Sequence, residues 1–121
     1  MPTILAAYAI ALGTLVIGLW AVSLGLQRVP ELRTEPWQIR FHIAAEALMG
    51  TTLIVGGLGW LAGGTWAPFV VLVGFGAAAY SAVNSAGYYA QLHQLAPVAM
   101  FGVILLLTLA ALALGIPLLV G

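Results

Sequence analysis

Five of the six charged side chains of this chain fall between Arg28 and Arg40, and the sixth, Glu46, stands alone inside an apolar run. Around them lie four long hydrophobic blocks separated by short breaks rich in Pro, Gly and polar residues. A water-soluble domain carries about a quarter charged residues, enough to wet its surface. Here only 5% are charged against 64% hydrophobic, so lipid is the solvent this chain suits.

The blocks run over residues 3–26, 39–62, 66–90 and 97–120. A helix of about 24 residues reaches roughly 36 Å, enough to cross a hydrocarbon core of about 30 Å with modest tilt. Strands with open edges would leave backbone groups unpaired in lipid, so each block is expected to be helical. Short connections force neighbouring helices to run antiparallel. The expected fold is therefore all-α and integral to the membrane, with four transmembrane helices in an up-down-up-down bundle and a single domain over 1–121. Ala21-Val22-Ser23 faintly resembles a cleavage site, but the preceding apolar run is longer than a signal-peptide core and has no basic flank. It is read as a true first span.

Local signals mark the boundaries. Val29-Pro30-Glu31 is expected to stop the first helix, and Thr34 to cap the second with Glu35 and Pro36 in its first turn. Gly63-Gly64 ends the second, Thr65 caps the third, and Pro97 opens the fourth. Trp37, Trp60 and Trp66 fall at expected interfaces. All three arginines lie between the first two spans, so the positive-inside rule places loop 27–38 in the cytoplasm and both termini on the opposite side.

The chain has no lysine and no net charge, which leaves no basic surface for nucleic acid. Without cysteine there is no disulfide, thiolate metal site or thiol nucleophile. Ser81 and Ser85 have no histidine at matching depth to act as a base, and the glycines form no phosphate-binding loop. An enzyme is not expected. Neither is a metal site, because His42 and Glu46 supply only two ligands.

Glu46 is the residue of greatest interest, because a carboxylate in lipid is costly unless a cation or several donors compensate. Helical spacing sets His42, Glu46, Met49, Gly50, Leu53 and Gly57 on one stripe, with His42 one turn from Glu46. On the third span Tyr80, Ser81, Asn84 and Tyr88 form an answering polar stripe. Reckoned from Arg40 and from Gln91, Glu46 and Asn84 lie at equal depth, so a Glu46–Asn84 contact is expected, with Tyr80 or Tyr88 as a second donor. His42 and His93 fall at similar heights and are candidate haem ligands.

Ala45-Glu46 followed by Gly50-Thr51-Thr52-Leu53 resembles the membrane-embedded glutamate segment of small multidrug resistance transporters, which are four-helix proteins of similar length. The resemblance implies proton-coupled transport through Glu46. It spans fewer than ten residues, the glutamate lies in the second helix rather than the first, and the glycine is one residue further away.

Three functions follow as expectations. The first is a packing or accessory subunit of a larger membrane complex, because the first and fourth spans carry few polar groups. The second is a proton-coupled small-molecule transporter, acting as a homo-oligomer through Glu46. The third is a membrane anchor for haem or quinone near His42 and His93. The implied partners are the lipid bilayer and either other membrane subunits or further copies of the chain.

Overall fold

A computed structural model describes Pro2–Val120, with side-chain environments as far as Leu119. Five helices follow in order: α1 (Pro2–Gly25), a single turn α2 (Glu31–Thr34), α3 (Pro36–Leu61), α4 (Ala67–Gln91) and α5 (Leu95–Val120), with no strand among the described residues. All but α2 are long and apolar enough to cross a membrane. They form an antiparallel four-helix bundle in which α1 packs on α3, α3 on α4, and α4 on α5. α1 and α5 close the ring only lightly, and α3 and α5 do not pack together. The α1–α3 connection and the α4–α5 turn therefore share one end of the bundle, called here the charged end.

Glycine sets how closely α1 and α3 approach. A methyl group on Gly13 would lie 2.5 Å from the Gly50 carbonyl oxygen, and one on Gly57 would lie 2.8 Å from that of Ala6. Backbone thus meets backbone along this seam, where dispersion does the work that hydrophobic burial does in water. Phe75, Leu53 and Val71 fill the centre, and the ring of Tyr8 leans on Phe75 at 5.5 Å. The hydroxyls of Tyr8 on α1 and Thr108 on α5 share a hydrogen bond of 2.8 Å, with Thr108 fully buried.

Three of the helices end in the same way. Gln27, Gly63 and His93 each take positive φ, at 56°, 85° and 58°. In each case the next residue's N–H returns to a carbonyl five residues back: Arg28 to Ser23, Gly64 to Gly59, and Gln94 to Tyr89. This reversal satisfies carbonyls that a helix end leaves open, and it favours glycine at the left-handed position. Only Gly63 meets that preference.

Several expected boundaries move. α1 stops at Gly25, ahead of Val29-Pro30-Glu31, because the Gln27 reversal ends it first. α3 begins at Pro36 rather than Ile39, with Glu35 at its N-cap position and Pro36 in the first turn. Thr34 instead closes α2, so it caps nothing. Trp66, not Thr65, holds the N-cap position of α4, and α5 starts at Leu95, ahead of Pro97. Proline suits these early positions because first-turn N–H groups lack intrahelical partners.

Candidate functional site

Near the charged end the four long helices enclose a partly open cavity of about 320 Å³. Its deepest acidic group is Glu46, 8% exposed on the inner face of α3. The Glu46 side chain leans toward the N-terminus of its helix, as helical side chains do, and so meets His42 one turn below. His42 Nε2 lies 3.1 Å from Glu46 Oε1. Across the α3–α4 seam the Ser81 hydroxyl donates to the same oxygen at 3.0 Å. Trp20 of α1 packs edge-on against the His42 ring at 5.8 Å and forms part of the cavity wall.

The partner of Glu46 on α4 is thus Ser81, and no hydrogen bond joins Glu46 to Asn84. The reason is the earlier start of α3. Glu46 stands ten residues beyond Pro36, and Ser81 stands ten residues before Gln91. Both therefore lie about 15 Å from the charged end of their helices. Asn84 sits one turn nearer that end, exposed, at the rim of the cavity.

The inward face of α4 is also rotated one residue from the expected stripe. Ala78, Ala82 and Ser85 are buried, whereas Tyr80 is 77% exposed and borders a shallow apolar groove against Leu105 and Leu109 of α5. Tyr80 is no donor to Glu46. Tyr88 lines the cavity but turns to the charged segment, where its hydroxyl donates to Glu31 Oε1 at 2.5 Å. Tyr89 stacks on Phe101 of α5 at 5.9 Å and builds the opposite wall.

His93 occupies the exposed α4–α5 reversal and does not line the cavity. His42 is engaged with Glu46. The two imidazoles therefore do not converge on one site, because the backbone geometry of a turn governs where His93 lies. Among the described residues no three His, Asp or Glu side chains gather as metal ligands.

Sequence reasoning missed three features. The Tyr8–Thr108 bond joins residues one hundred positions apart, each an isolated polar group on an apolar span. Trp20 belongs to the His42 side of the cavity, although it lies in the middle of an apolar block. Glu31 and Glu35, expected only to mark helix boundaries around the 27–38 loop, both reach the cavity, together with Arg28.

The arrangement can hold a small molecule against a carboxyl that has one titratable neighbour and one hydroxyl donor. No curated protein and no solved structure matches the chain. One protein family, described as a domain of unknown function (DUF8058), matches residues 1–118. With that match covering nearly its whole length, the chain belongs to the DUF8058 family.

Proposed function

We propose that this is a multi-pass membrane protein that binds a small molecule in the cavity at its charged end and couples that binding, and its movement across the bilayer, to protonation of Glu46. The observation that carries the reading is the placement of Glu46, where His42 and Ser81 both address one carboxyl oxygen at the cavity wall. A ligand in the cavity and a proton on Glu46 act on the same group, so each alters the affinity for the other. The arginines of the 28–40 segment support a cytoplasmic setting for this end. One chain encloses the cavity with its own four helices, so a homo-oligomer would surround such sites rather than complete one.

Infrared difference spectroscopy on reconstituted protein tests this reading, with Glu46→Gln as control. A carboxyl band that appears on acidification and vanishes in the variant supports coupling. A wild-type spectrum identical to that of the variant at every pH overturns it.

A second reading, an accessory subunit acting by packing, draws on α5. Val103, Leu106, Leu107 and Ile116 turn outward along that helix, so it can adjoin lipid or a neighbouring subunit. Gentle extraction followed by a search for stoichiometric partners tests it. A fully stable protein that purifies alone overturns it.

A further inference from the structure

All three acidic residues of the chain, Glu31, Glu35 and Glu46, line the one cavity, but only Arg28 of the three arginines does. Arg40 instead lies over the ring of Trp37, 5.6 Å from its centre, and Arg33 is exposed. Among the described residues no Arg–carboxylate ion pair forms, and the sole salt bridge is His42–Glu46. Carboxylates therefore outnumber guanidinium groups around this cavity, with Glu46 buried in its wall, Glu31 half-buried and Glu35 exposed at its open end.

Two polar atoms on residues lining the cavity, Glu46 Oε2 and the Ser85 hydroxyl, make no hydrogen bond among the described residues. Both contacts to Glu46 fall on Oε1, and none among the described residues reaches Oε2. Ser85 is only 6% exposed, yet its hydroxyl makes no hydrogen bond among the described residues. No such atom is sealed from solvent, so each keeps surface at the space it borders. Both atoms can accept a hydrogen bond from a donor placed in the cavity. Trp20, Tyr88 and Phe101 present aromatic surface around the same space, which favours a cation over an anion.

The apolar side of the ligand follows from the α1–α5 seam. α1 and α5 are joined through Tyr8 and Thr108, away from the charged end. At the level of the cavity, Leu19 of α1 and Met100 of α5 line opposite walls and are themselves exposed.

We propose that the cavity binds a single-chain amphiphile with an ammonium head, the head seated among Glu31, Glu35, Glu46 and Ser85 and the chain leaving between α1 and α5 into the bilayer. This names the ligand class of the proposed function and rests on that reading for the site, though not for proton coupling.

The test uses full-length protein in phosphatidylcholine nanodiscs, with Trp37, Trp60 and Trp66 replaced by Phe so that Trp20 alone reports. Dodecylammonium, dodecanoate and ethylammonium are the probes. The expected result is saturable Trp20 quenching by dodecylammonium at concentrations about tenfold lower than for either other probe, weakened about tenfold in the Glu31→Gln/Glu35→Gln double variant. Equal responses to dodecylammonium and dodecanoate would mean bilayer partitioning only and overturn the proposal, as would an unaltered affinity in the double variant. Equal affinity for ethylammonium overturns the assignment of the chain. Circular dichroism of each variant verifies that a lost response is not a lost fold. Failure here with a titrating Glu46 band refutes the ligand class and leaves proton coupling standing. Binding without such a band does the reverse.

Discussion

Glu46 and Ser81 stand at the same depth on antiparallel helices, and the serine hydroxyl reaches the carboxyl at 3.0 Å. Ser81→Ala should therefore shift the infrared carboxyl band of Glu46, whereas Asn84→Ala should leave it in place. Thermal unfolding in detergent should fall by about 1 kcal/mol or less for Ser81→Ala, the usual worth of one interhelical hydrogen bond in a membrane. A band that moves in Asn84→Ala but not in Ser81→Ala would refute the pairing.

The α1–α3 seam predicts a sharp contrast between two glycines on one helix. Gly13→Ala drives a methyl group into the Gly50 backbone and should destabilise the bundle by about 1–3 kcal/mol. Gly18 has nothing within 4 Å of the same methyl position, so Gly18→Ala should be neutral or stabilise by up to about 1 kcal/mol. Unfolding midpoints measured side by side decide it. Equal effects would mean the helices are not this close.

At the helix reversals, Gln27 and His93 hold a conformation that costs a side-chain-bearing residue about 1–2 kcal/mol. Glycine relieves that strain but gives back part of it through unfolded-state entropy. His93→Gly should thus raise stability by about 0.5–1 kcal/mol, and Gln27→Gly likewise. Loss of stability in both would contradict the reversal geometry.

The Tyr8–Thr108 bond should show as coupling in a double-mutant cycle of Tyr8→Phe and Thr108→Val. A value of about 0.6 kcal/mol is expected. Thr108→Val should be the milder single change, because the Tyr8 hydroxyl keeps Ile104 O at 3.5 Å as a second acceptor. Additive single effects would show that the two hydroxyls do not act on each other.

Topology is directly accessible because the chain has no cysteine, so an introduced one is a unique label. Thr34→Cys and Gln94→Cys should react with an impermeant maleimide from the same face of the membrane, and Thr65→Cys from the other. Labelling of all three from one face would exclude four crossings.

The four long helices were legible because hydropathy averaged over a span is insensitive to any one residue. The start of α3 was not: Trp37 and Gln38 read as loop, yet they belong to the helix. Reckoned from Pro36 instead of Arg40, Glu46 lies four residues, about one turn, deeper, which exchanged Asn84 for Ser81. Periodicity found the inward stripe of α3, where Glu46, Met49, Gly50 and Leu53 are buried. On α4 it followed the polar residues, whereas the packed face carries Val71, Gly74, Phe75, Ala78 and Ala82. The cavity had no sequence signature, since it arises where helices that touch elsewhere fail to close.

The glycine seam and the lone Tyr8–Thr108 bond give the molecule two very different stiffnesses. Shear between α1 and α3 meets backbone at once, but the opposite edge is restrained far from the charged end and yields there first. Because α5 rests on α4 even there, through Tyr89 and Phe101, a substitution that parts α1 from α5 should widen the chamber mouth without disturbing the Glu46–Ser81 pair.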